Sequence, residues 1–142
     1  MDREERESRD RPRTPVAPEA EAVLRKFQKE LNAGTVALVL LAVIERAEEP
    51  LYGYEIARGL ETAGGASGSI VKQGTLYPVL RALERAGLLQ SRIGPSDAGP
   101  PRRYYEVTPV GRQTLTDWRE VWRHTRDFVD TVVEGGSRVR EH

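Results

Sequence analysis

Cysteine is missing from this sequence, which excludes disulfides, thiolate nucleophiles and thiolate metal sites together. Histidine is nearly as scarce: His124 and His142 have no second ligand at metal-binding spacing. Net charge is also missing, because 22 Lys and Arg balance 22 Asp and Glu, so the chain as a whole does not advertise a polyanionic partner. Long apolar runs are absent; the longest, Val36–Ile44, falls well short of the roughly 20 residues of a membrane span. The first residues alternate Arg and Glu, unlike a signal peptide. The glycine-rich stretch Gly64–Ser69 follows a helical pattern rather than a strand, and Lys72 lacks phosphate-loop spacing, so it reads as a connector. No nucleophile–base pair or cofactor loop is visible. These absences predict a soluble cytoplasmic protein that is not an enzyme and needs no metal, cofactor or membrane.

The chain's 142 residues allow one domain of ordinary size with tails. Residues 1–18 are charged, proline-bearing and almost free of large apolar groups, so they read as a disordered tail; residues 135–142 read as a flexible one. Val23, Leu24, Phe27 and Leu31 make an apolar stripe that predicts a helix over Glu19–Leu31. Asn32-Ala33-Gly34 is expected to interrupt it, with Thr35 capping a second, core helix that runs to Arg46. A further helix is predicted over Tyr52–Ala63, with Ile56, Ala57 and Leu60 facing inward.

The segment from Lys72 to Thr108 carries the most information. Leu76, Val79, Leu80 and Leu83 recur at helical spacing over Gln73–Ala86, and Gly87 supplies a helix end. Pro78 is expected in the first turn, where its missing N–H is harmless. A strand over Leu88–Ile93, a Gly/Pro turn over Gly94–Pro101 and a strand over Arg102–Thr108 follow. Helix, ribbon and paired arginines are the layout of a winged helix-turn-helix, spanning residues 19–108 in a mainly α (α+β) fold with a two-stranded wing. Charge supports the assignment. Between Ser69 and Glu106, Lys72, Arg81, Arg85, Arg92, Arg102 and Arg103 face only Glu84, Asp97 and Glu106.

A last helix is predicted over residues 109–134. Leu115, Trp118, Trp122, Thr125, Val129 and Val132 alternate three- and four-residue spacings, an a/d seam suited to pairing with a second copy; Val121 and Phe128 widen it. Trp118 and Trp122 share a face at i and i+4. Plain interface packing explains that pair, and two such pairs across a two-fold axis would also sandwich a planar effector, aided by cation–π attraction if it is charged.

Several motifs together resemble the PadR family of bacterial transcriptional regulators. They are Leu51-Tyr52-Gly53-Tyr54-Glu55, Gly74-Thr75-Leu76-Tyr77-Pro78, Gly87-Leu88, and Pro101-Arg102-Arg103-Tyr104-Tyr105 with Thr108 and Gly111. The likeness covers roughly Leu31–Gly111, and this chain has Lys72-Gln73 where relatives often place Ser or Pro. The resemblance implies a homodimeric winged-helix repressor of the branch with a single C-terminal dimerisation helix. It further implies release from a palindromic duplex operator by a small aromatic or cationic effector near the dimer interface. On this reading Lys72 and Gln73 enter the major groove, while Thr75, Tyr77 and Arg81 hold phosphates. On a strand Arg102 and Arg103 point to opposite sides, so one should meet DNA while the other pairs with an acid such as Glu106; Arg102 is the preferred DNA contact. A winged helix that binds a protein and has lost DNA binding is the alternative, and loss of the basic residues around the wing would be its mark.

Overall fold

The computed structural model describes residues 17–135, so the two expected tails lie, over 1–16 and 136–142, outside the described residues. The order of elements is α1 (Pro18–Arg46), β1 (Leu51–Tyr52), α2 (Gly53–Gly64), a 3-10 turn (Gly65–Ser67), α3 (Gln73–Arg85), β2 (Leu89–Gly94), β3 (Arg102–Val107) and α4 (Pro109–Val133). The fold is a winged helix-turn-helix with a long C-terminal helix.

Two expectations about the first helices fail. The break at Asn32-Ala33-Gly34 does not occur: α1 runs unbroken for 29 residues. Gly34 has no positive φ and nothing near its Cβ position, so nothing local demands a turn there. A mid-helix glycine costs only about 1 kcal/mol, too little to stop a helix with good formers on both sides. Thr35 therefore lies inside the helix, not at its start.

The part of α1 up to Ala33 forms a unit by itself. Its stripe of Val23, Leu24, Phe27 and Leu31 is exposed, and its charged face carries the i,i+4 pairs Arg25–Glu21 and Lys26–Glu30. From Gly34 onward the chain is a second unit with one core. By length and composition α1 alone would suffice to cross a membrane. Val36, Leu40, Leu41 and Ile44, however, are buried with Ile56, Leu60, Leu76, Leu80 and Leu83, as befits a core helix.

The expected two-stranded wing, β2 and β3, gains β1 at its other edge, making a three-stranded antiparallel sheet in the order β1-β3-β2. Leu51 pairs with Tyr105 and Tyr52 with Tyr104, so Tyr52, expected to begin α2, instead joins Leu51 in a short edge strand. On the other side Leu89 pairs with Val107 and Ser91 with Tyr105. Strand alternation then sends Leu89, Tyr105 and Val107 into the core and Gln90, Arg92, Arg102, Tyr104 and Glu106 to the opposite face.

Two joints fix this sheet to its flanking helices. At the end of α3, Gly87 takes φ +82°; its N–H donates to the Glu84 carbonyl and that of Leu88 to the Leu83 carbonyl, closing the helix. The Thr108 hydroxyl donates to the Gly87 carbonyl at 2.6 Å and accepts from the Gly111 N–H at 2.9 Å, capping α4 while tying it to the end of α3. Gly111 packs so tightly that a Cβ there would drive into the Leu88 carbonyl.

Candidate nucleic-acid interface

The start of α3 is open. Lys72, Gln73, Gly74 and Thr75 are exposed while Leu76 is buried, so the helix enters the core only after its first turn. Lys72 adopts extended backbone as N-cap and its side chain makes no cap hydrogen bond. The Thr75 N–H donates to the Lys72 carbonyl at 2.9 Å, so no side-chain cap covers the Gln73 and Gly74 amides at the start of α3, beside one ammonium and one amide side chain. Arg81 is exposed further along the helix.

Pro78 sits at the sixth position of α3 rather than in its first turn. It leaves the Gly74 carbonyl without a helical donor, and because Gly74 is exposed, water can supply one. Tyr77 is 45 % exposed, but its ring lies against Gly53, where any Cβ would collide with the phenol. Its ring therefore serves the junction between α3 and the start of α2, and Gly53 is the residue that lets it fit.

At the wing, the turn itself carries Asp97 and no cation; Arg92, Arg102 and Arg103 stand on the strands behind it. The Ser96 hydroxyl lies within hydrogen-bond distance of the Gly99 and Pro100 carbonyls, and the Tyr104 hydroxyl donates to the Pro95 carbonyl at 2.7 Å. Gly94 is buried beneath the Tyr104 ring, with room for no side chain. The turn is accordingly anchored from both ends.

Arg102 and Arg103 do point to opposite sides, with partners that the spacing did not foretell. Arg103 does not pair with Glu106, whose carboxylate accepts from Gln90 at 2.7 Å instead. Arg103 donates to the Ser91 hydroxyl at 2.9 Å, and Ser91 donates to the Glu84 carboxylate at 2.6 Å. This chain of bonds runs from the wing to the recognition helix. Arg102 places its guanidinium 4.1 Å from the centre of the Tyr52 ring. Tyr105 is core; burial raises its phenol above the ordinary 10.0, with nearby Arg103 offsetting part of the effect, so it stays neutral at physiological pH.

A groove of about 490 Å³ opens between α2 and the start of α3, lined in part by Tyr54, Arg58, Glu61, Ser69 and Gln73. Sequence reasoning assigned no role to Tyr54 or Arg58. The available signal was the four-residue spacing that puts both on one turn of α2, beside the residue that opens α3.

On α4 the expected seam divides. Leu115 is 1 % exposed and belongs to this chain's own core, while Trp118 is half-buried against that core. Past them, Val121, Trp122, Thr125, Phe128, Val129, Val132 and Val133 are exposed. The two tryptophans therefore do not present one open aromatic face: Trp118 leans inward and Trp122 outward. Arg119 reaches Glu45 of α1 at 3.6 Å.

Comparison with known proteins agrees with this geometry. Residues 40–117 match the transcriptional regulator PadR-like family. A transcriptional regulator of Mycobacterium tuberculosis is 36 % identical over 117 residues, covering 82 % of this chain and 95 % of its own. The crystal structure of a PadR family transcriptional regulator from Eggerthella lenta superposes with a TM-score of 0.69 at 29 % identity, covering 84 % of this chain and 99 % of that one. A PadR-like regulator from Bacillus cereus gives a TM-score of 0.61 at 26 % identity, over 75 % and 98 % of the two chains.

Proposed function

The chain belongs to the PadR-like family of DNA-binding transcriptional regulators, and from that premise we propose that it acts in the cytoplasm as a homodimeric repressor of a palindromic operator. The observation that carries this reading is the open start of α3, with no side-chain cap, on the head formed by α2, α3, the sheet and the buried part of α1, with the wing arginines on the same head. Lys72 and Gln73 read base edges, Lys favouring guanine or phosphate and Gln adenine. Thr75, Arg81 and Arg102 hold phosphates and fix register. Tyr77 and Arg103 contribute mainly by holding the head together, through Gly53 and through Ser91.

Dimerisation follows from α4. Its outer half exposes apolar side chains from 40 % at Trp122 to 71 % at Val133, a stripe that water disfavours and a second copy covers. The interface residues are Trp122, Thr125, Val129 and Val132, with Val121 and Phe128 beside them. Two heads joined this way address successive major grooves about 34–36 Å apart. A small aromatic or cationic compound bound near Trp122, with Trp118 behind it, releases the operator only if it favours a subunit arrangement that spoils this spacing; without differential affinity it shifts nothing.

The competing reading, a winged helix that binds a protein instead of DNA, draws on the engagement of Arg102 and Arg103 with groups of the chain itself. Footprinting the purified protein on duplexes selected from a random pool, with and without aromatic and cationic compounds, separates the two. A symmetric protected site supports the repressor reading and its loss with a compound identifies the effector. Failure to protect any duplex favours the protein-binding reading.

A further inference from the structure

The aromatic cluster where β1 turns into α2 has no role in the reading above. Tyr52 and Tyr54 stack with ring centres 6.3 Å apart and planes 19° from parallel. Tyr104 abuts Tyr52 edge-on at 5.7 Å, itself fixed by its bond to Pro95. A guanidinium lies over each stacked ring, Arg102 at 4.1 Å from Tyr52 and Arg58 at 5.9 Å from Tyr54. Among the described residues neither arginine forms a salt bridge. Glu55 and Glu61 each stand three residues from Arg58: Glu55 accepts from the Tyr52 N–H at 3.2 Å, and Glu61 lines the same groove as Arg58.

A guanidinium stacked on a ring keeps the N–H donors along its edge available while its rotamers are already restricted. Such a group docks on an anion at smaller entropic cost than a free side chain. Position selects the anion. Tyr54 and Arg58 line the groove that Gln73 also lines, so one end of the stack adjoins the start of the recognition helix. The first helix of a helix-turn-helix crosses the phosphate backbone, and α2 is that helix here.

We propose that Arg58 and Arg102, positioned by Tyr54 and Tyr52, form one preorganised clamp for phosphates of the operator strand beside α3. The clamp rests on the DNA-binding reading of the head and adds to it a contact from α2, with the two tyrosines as positioning residues.

The test measures affinity of the full chain for a duplex it has selected from a random pool, at several salt concentrations. The variants are Arg58→Gln, Tyr52→Leu, Tyr52→Phe and Tyr54→Leu, each with its unfolding midpoint. Arg58→Gln should weaken binding and flatten the dependence of log affinity on log salt by about 0.9, the value for one phosphate contact. Tyr52→Leu should weaken binding about threefold or more with the slope nearly kept, since both charges remain. Tyr52→Phe should bind like the wild type. Tyr54→Leu, at a position 59 % exposed, should behave like Tyr52→Leu and keeps the test sound if the latter unfolds. A wild type that binds while Arg58→Gln matches it in affinity and slope, or while both leucine variants match it, overturns the clamp alone. A wild type that selects no duplex overturns the DNA-binding reading and the clamp with it.

Discussion

The head and the outer half of α4 use similar side chains to opposite ends. In the head, leucines and valines from α1, α2, α3, β2 and β3 close on one another, and Leu80 and Leu40 have no exposed surface at all. Along α4 beyond Trp118, Val121, Phe128, Val132 and Val133 are each more than 60 % exposed. Spacing alone does not separate the two cases, because Leu115 and Val129 belong to the same three-and-four repeat. What separates them is reach: Leu115 lies where the first turns of α4 rest on the sheet, and Val129, 45 % exposed, lies outside the core formed by the described residues. A single heptad pattern thus begins as intramolecular core and, in the proposed dimer, continues as an intermolecular seam.

Substitutions at the two ends of α4 sharpen this contrast. The largest effect is expected at Leu115, where Leu115→Ala should cost about 2–5 kcal/mol in denaturant unfolding, whatever the protein concentration. Trp122→Ala combined with Phe128→Asp should leave the head folded but weaken self-association by about 2 kcal/mol or more, roughly thirtyfold, seen as a concentration-dependent shift in sedimentation. Equal unfolding losses at both ends would erase the distinction.

Smaller effects probe the joints of the head. Ser91→Ala removes the hydroxyl between Arg103 and Glu84 and should cost about 1 kcal/mol in stability. It should also weaken DNA binding with an unchanged salt slope, because no phosphate-binding cation is lost. A slope reduced by a full contact would mean that Arg103 itself meets DNA. Gly34→Ala should stabilise the protein by up to about 1 kcal/mol, since the added methyl meets open space in a helical conformation. A loss there would show that the chain needs flexibility at this point.

The head was largely legible in the sequence because its signals are local. Helical spacing from Leu76 to Leu83, Gly87 at positive φ and the alternation through Tyr105 and Val107 each report on neighbours a few residues away. What stayed hidden depends on distant partners. Strand β1 has two residues, too few to alternate, and exists only because Tyr104 and Tyr105 accept it as an edge. Alternation placed Arg102 and Arg103 on opposite faces, but Tyr52 and Ser91 reach them through the fold. Gly34 misled in the other direction, since a modest propensity penalty was read as a break. On α4, periodicity alone could not show where the intramolecular core ends.

In the proposed dimer, two heads held by the outer half of α4 read one operator together. Sedimentation of the protein with a duplex selected from a random pool, for the wild type and for Phe128→Asp, tests it most directly. Two chains per duplex are expected for the wild type, with the variant sedimenting as a monomer and binding at least tenfold more weakly, about 1.4 kcal/mol or more. A monomeric wild type, or a monomeric variant that binds the same duplex just as tightly, would contradict it.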